Sequence, residues 1–123
     1  MIKALMMTSA LFVGIAASAP AAAQPGAETN LRSGRCSLVV NGRSRISGRC
    51  LYSVERNGSF YIREAGRRRD NFYFAYVNID GRTAEGSWNG TRGSTHAHDS
   101  LGRLRRNGAC WVNRRARVCL WQR

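Results

Sequence analysis

The chain has 123 residues, 20 basic side chains against 7 acidic ones, a net charge of +13, two histidines and four cysteines. That length holds one domain. The seven acids are scattered and form no paired-carboxylate site, no serine stands in a nucleophile elbow, and no C-x-x-C spacing marks a zinc ribbon or redox centre. A non-enzymatic protein is therefore expected, and no cofactor is implied.

Residues 1–23 read as a secretory signal. Lys3 supplies the positive start, Ala4 to Ala17 an apolar stretch too short to anchor in a bilayer, and Ala21-Ala22-Ala23 an A-x-A cleavage site. Cleavage there starts the mature chain at Gln24. The competing site after Ala19 places Pro20 just past the cut, where peptidases work poorly. An uncleaved N-terminal helix is the alternative, but the flanks fit cleavage better. Cys36 lies well beyond the cut, which argues against a lipoprotein anchor. A periplasmic or secreted location follows, with no transmembrane segment after cleavage. Residues 24–33 show no hydrophobic periodicity and read as a flexible leader, and residues 34–123 as a single domain.

From Gly34 onward, short apolar runs alternate with Asn-Gly and Asp-Gly turns, the rhythm of antiparallel hairpins. No helical stripe is present. The first hairpin spans Arg35 to Tyr52. A two-residue Asn41-Gly42 turn sets Leu38 opposite Arg45. A three-residue loop with a bulge at Gly42 sets Leu38 opposite Ser44 and Cys36 opposite Ile46, and is preferred. It places Arg43, Arg45 and Arg49 together on the outer face. Ser59 to Glu64 forms the next strand, followed by a charged loop at residues 66–70. Phe72 to Ile79 is apolar on both faces and reads as a strand covered on both sides. An Asp80-Gly81 turn returns it into Arg82 to Asn89, with Val77 facing Ala84, Ala75 facing Gly86 and Tyr73 facing Trp88. Ser100 to Arg106, Ala109 to Asn113 and Arg117 to Trp121 follow, joined at Asn107-Gly108 and Arg114-Arg115. The expected fold is all-β, a small antiparallel barrel or sandwich of about eight short strands with two disulfides.

An even cysteine count in an exported chain argues for two disulfides. A symmetrical last hairpin brings Cys110 opposite Cys119 and leaves Cys36 with Cys50. In the preferred register Cys50 lies four residues beyond the partner of Cys36, so that bridge needs a bend, for which Gly48 is the natural place. Without the bend, crossed pairings between the two ends of the chain are the alternative.

After Ala23 every basic residue is an arginine, 19 of them against 7 acids, a net charge of +12. Residues 34–70 carry +6, residues 71–100 carry −1, and residues 101–123 carry +7. If the two ends meet, one face becomes a cationic patch. Arginine suits such a patch because its planar fork binds phosphate and carboxylate in bidentate fashion. Arg67, Arg68, Arg69, Arg103, Arg105, Arg114, Arg115 and Arg117 are the candidate polyanion contacts. Trp111 and Trp121 lie nearby and are candidates for stacking. The competing reading is that the arginines only keep strand edges soluble and the tryptophans only fill the core.

His96 and His98 stand two apart, so in an extended strand both imidazoles face one way and form a weak candidate metal pair, with Glu85 as a possible third ligand. The same pair with arginines could cleave RNA, but adjacent histidines are poorly placed to flank a phosphate from two sides.

The segments YFAYV (73–77), SWNG (87–90), THAHDSLGRL (95–104) and RRNGACWVNRRARVCLW (105–121) resemble small exported proteins of Gram-negative bacteria. The resemblance covers most of the domain and implies export and a compact β domain, with no activity attached. It makes Gly108, Cys110, Trp111 and Cys119 a structural signature. Taken together, the expected function is non-enzymatic binding of an anionic envelope polymer, lipopolysaccharide or an acidic polysaccharide. A protein-interaction module or enzyme inhibitor is the alternative, and nucleic acid is not expected as the physiological target.

Overall fold

The computed structural model describes residues 30–123 together with Gly14. The rest of the predicted signal peptide and residues 24–29 of the predicted leader lie outside the described residues. Eight strands follow in order: β1 (Arg32–Val40), β2 (Arg43–Val54), β3 (Phe60–Glu64), β4 (Phe74–Asp80), β5 (Thr83–Trp88), β6 (Asp99–Asn107), β7 (Cys110–Val112) and β8 (Ala116–Trp121). Each pairs antiparallel with the next, and β8 pairs with β1 to close a barrel. Closure decides between barrel and sandwich, and it removes every free sheet edge. β1 begins at Arg32, inside the stretch read as leader.

Alternation fills the interior. Leu38, Val40, Ile46, Tyr52, Ile62, Ala75, Val77, Trp88, Leu104, Trp111 and Val118 belong to one buried cluster. Leu101 and Leu104 are both inside despite their odd spacing. A bulge explains this: Gly86 pairs Gly102 while Ser87 pairs Ser100, so Leu101 is an extra residue that shifts the phase. At the closing seam, a Cβ on Gly34 would stand 2.8 Å from the Trp121 carbonyl oxygen and 2.8 Å from the Tyr52 ring. Only glycine lets these strands approach so closely.

The first hairpin corrects the predicted register. Its turn is the two-residue Asn41-Gly42, with φ of 53° and 77° as a type I′ turn requires. The bulge lies further along, not at Gly42. Val39 pairs Ser44 and Leu38 pairs Ile46, so Arg45 is the extra residue. Leu38 therefore faces a core residue and Ser44 is exposed. The slip also brings Cys36 opposite Gly48 and only two residues from Cys50. Gly48 takes the bend, with φ of 92°. Cys36 bonds Cys50 diagonally across the hairpin, Cα to Cα 5.7 Å. Cys110 and Cys119 are directly opposed and bonded, Cα to Cα 4.0 Å.

The β4–β5 turn is Gly81-Arg82, between the pair Asp80 and Thr83, so Val77 faces Gly86 and Ala75 faces Trp88. This is two residues from the predicted pairing, an even slip that leaves every side chain on its expected face. Likewise the β6–β7 turn is Gly108-Ala109, since Asn107 pairs Cys110. In both turns glycine at the first position has positive φ, which suits a type II′ hairpin. β4 is covered on both sides, as expected. Ala75 and Val77 face the core, while Phe74 and Tyr76 join Tyr61 in an outer cluster covered by Leu31, Phe72 and Ala97.

Candidate functional site

The barrel has two charge-distinct walls. β7, β8, β1 and β2 are adjacent, and their sequences hold six arginines and no acid: Arg35, Arg49 and Arg117 on the outward face, Arg32 and Arg43 paired with the core-facing Tyr52 and Val40 near the strand ends, and the bulge residue Arg45. β3, β4 and β5 hold one arginine, Arg63, against Glu64, Asp80 and Glu85. On the acid-free wall Arg35 lies directly opposite Arg49 on one side and Trp121 on the other. All three are exposed, and Trp121 retains 42% of its surface. Like charges facing each other across a ladder destabilise it. A groove runs beside them, lined by Ser37, Ser47, Gly48, Trp121 and Arg123. Trp121 thus shares this groove with Arg35 and Arg123, and Arg49 stands beyond Arg35 in the same cross-strand row.

Most of the sequence-predicted arginines lie elsewhere. Arg67, Arg68 and Arg69 sit in the β3–β4 loop, and Arg114 and Arg115 in the β7–β8 loop. These loops share one end of the barrel but stand across it from each other, four strands apart. Some are already engaged. Arg67 Nε is 3.4 Å from Glu64, Arg103 Nε is 3.8 Å from Glu85, and the Arg115 guanidinium donates to the Ser100 carbonyl at 2.6 Å. Arg117 is on the acid-free wall, opposite Val112 of β7, and Arg105 of β6 stands at the edge of that wall on the other side of Val112. The closure does bring the two arginine-rich ends of the chain together, but at β1 and β8. Arg35 and Arg123, which sequence reasoning left out as contacts, share a groove with the exposed tryptophan, and Arg49 stands next to Arg35. Trp111 is buried in the core and offers no surface for stacking.

The loop end is sealed by side chains. As the bulge residue, Arg45 leaves the outer face predicted for it and folds over the barrel end. Its guanidinium lies 5.3 Å from the Trp88 ring centroid and 5.7 Å from that of Tyr73. Arg92 stacks on Tyr73 at 4.6 Å and donates to both Glu64 carboxylate oxygens, at 2.8 and 3.0 Å. The Tyr73 backbone N–H adds a third bond to Glu64 at 2.8 Å. Burial pushes the Glu64 carboxyl up. The Arg92 and Tyr73 hydrogen bonds and the charges of Arg92 and Arg67 outweigh it and hold the group below its ordinary value near 4.5. A depressed carboxylate stabilises the fold fully above its unfolded value and loses that contribution as pH falls through the native one. Glu64→Gln is therefore expected to lower the melting temperature at pH 7 by several degrees. That deficit closes as the pH falls through the depressed value of the Glu64 carboxyl. Thermal unfolding between pH 3 and pH 7 checks this, and a deficit constant across the range would refute it.

His96 and His98 lie on the β5–β6 loop rather than on a strand, both exposed, with ring centroids 5.1 Å apart. Glu85 is held by Arg103 instead of joining them. No group of three metal-ligating side chains occurs among the described residues. Both imidazoles belong to one short loop, which does not place them on two sides of a phosphate.

The opposite end is open. Its mouth is a hollow of about 530 Å³ of mixed character, where the apolar Phe60, Ile79, Trp111 and Leu120 meet the polar Asn57, Arg82, Arg106 and Gln122, with Val54 beside them. The loop beside it is fixed by one bond to β4 and one within itself: Ser59 Oγ accepts the Ile79 N–H at 2.8 Å, and Asn57 Oδ1 accepts the Ser59 N–H at 2.9 Å.

Two buried disulfides fit an oxidising compartment. No helix among the described residues is long and apolar enough to cross a membrane. Comparison with family models, curated proteins and solved structures finds no match to this chain.

Proposed function

We propose that this is an exported, non-enzymatic binding protein of the cell envelope. It holds an anionic envelope polymer, lipopolysaccharide or an acidic polysaccharide, against the β7–β8–β1–β2 wall. The observation that carries the reading is the cross-strand row Trp121, Arg35, Arg49 on a wall without acids. Two facing guanidinium groups repel until an anion lies between them, and their forks suit phosphate or carboxylate. The tryptophan beside them gives an apolar face for a sugar ring. The net charge raises the local concentration of any polyanion, and salt screens that attraction.

The test uses the oxidised full chain expressed in an exporting host. It is incubated with lipopolysaccharide, peptidoglycan and outer-membrane fractions, with salt raised from about 0.05 to 0.5 M across the screening range. Saturable binding to one fraction that survives physiological salt is the expected result. Equal binding to every polyanion that vanishes with salt would reduce the wall to a solvated surface. A salt-insensitive one-to-one complex with a single protein would favour the interaction-module reading instead.

A further inference from the structure

We propose that the open mouth of the barrel takes the alkyl chain of a phosphate-bearing lipid, with the phosphate held at the rim by Arg82 and Arg106. The inference rests on the envelope-binding reading and names the ligand class that reading leaves open.

Three observations meet here. The mouth volume of about 530 Å³ is within the range of small-molecule sites, and its floor is aromatic and aliphatic. The two large hydrophobic side chains most exposed among the described residues are Val54, at 43%, and Trp121. Val54 lies on the mouth itself, and Trp121 stands one residue beyond Leu120 of its floor. The mouth also does not end at its rim. A shallow depression shares Arg106 and Leu120 with the mouth and Trp121 and Arg123 with the wall groove. The three hollows form one track in which apolar and cationic side chains alternate from the barrel end to the wall.

The chemistry of that track specifies its occupant. An apolar floor alone would favour any hydrophobe, but Arg82 and Arg106 at the rim favour one whose polar end is anionic. A neutral chain gives neither guanidinium group an anion, Arg106 keeping only its Nε bond to the Gly108 carbonyl at 3.2 Å, and a free phosphate leaves the floor wet. A chain with a phosphate at its end satisfies both. A larger phosphorylated headgroup would continue past Trp121 to Arg35 and Arg49.

The experiment is calorimetric titration of the oxidised protein with butyl, octyl and dodecyl phosphate, each below its micelle threshold. Inorganic phosphate and dodecyl maltoside serve as comparisons. The expected result is binding that tightens about threefold or more for each pair of methylenes that enters the mouth. Dodecyl maltoside should bind at least about tenfold more weakly than dodecyl phosphate, a difference that Arg82→Ser with Arg106→Ser removes. Val54→Asp, at a half-exposed position that leaves the core untouched, should abolish the chain-length dependence while polyanion binding by the wall persists. Equal affinity for inorganic and dodecyl phosphate, or an unchanged chain-length series in Val54→Asp, would overturn the proposal. If the alkyl series is flat but Arg35→Ser with Arg49→Ser still weakens polymer binding, the mouth assignment fails and the wall assignment stands. If polymer binding ignores the wall variant, the underlying reading fails as well.

Discussion

Replacing Cys36 and Cys50 together by alanine is expected to cost about 2–5 kcal/mol of folding stability, enough to leave the domain largely unfolded at 37 °C. The bridge joins β1 to β2 diagonally inside the core cluster. Its loss frees the unfolded chain, removes packed sulfur from the interior and releases the strand bend at Gly48. In a domain of this size each kilocalorie moves the melting temperature by about 4–8 °C, so a fall of roughly 8–40 °C follows. The Cys110–Cys119 pair closes a loop of similar length, 9 residues apart against 14, and lies outside that cluster. Chain entropy separates two such loops by only a few tenths of a kilocalorie. The larger cost of the first bridge therefore comes from its place in the core. Denaturant unfolding of both double variants measures the difference. A larger loss for Cys110→Ala with Cys119→Ala would contradict this account.

The second large effect concerns the wall. Arg35→Ser, Arg49→Ser and Arg123→Ser combined should flatten the salt dependence of polyanion binding. Single-stranded DNA serves as a defined polyphosphate probe, although it is not the physiological ligand proposed. Each phosphate that an arginine no longer neutralises reduces the slope of log affinity against log salt by about 0.7, so the triple variant should be flatter by about 2. Trp121→Ala should weaken binding about tenfold with the slope unchanged, since stacking releases no counterions. The control is Arg68→Ser, Arg69→Ser and Arg114→Ser, the same loss of charge at the sealed end. If the control flattens the slope equally, the charge acts as a diffuse cloud and the wall has no special role.

The site was half legible in the sequence. The charge blocks were plain, and so was their concentration at the two ends of the domain. Which arginines share a surface depends on strand closure and on one bulge. Arg45 reads as an outer-face residue by parity, yet the bulge turns it over the barrel end onto Trp88 and Tyr73. Arg67 to Arg69 make a dense run in sequence, but a loop projects them across the barrel from Arg114 and Arg115. Trp111 and Trp121 look alike in the last hairpin. Inward parity buries the first and leaves the second on the wall. The mouth had no sequence signal, because its floor gathers residues from β3, β4, β7 and β8.

What the sequence determined by itself is local chemistry: eight short strands, glycine turns, the inward and outward face of most residues, and the Cys110–Cys119 pair. Period-two alternation and turn residues act within a few positions, so they can be read one segment at a time. The Cys36–Cys50 pairing with its bend at Gly48 was also expected from the sequence, whereas tertiary structure alone decided the closure of β8 onto β1 and the position of the bulge at Arg45, which sets the diagonal reach of that bridge. Those outcomes depend on which register buries the most apolar surface when all eight strands pack at once, and no single segment carries that information.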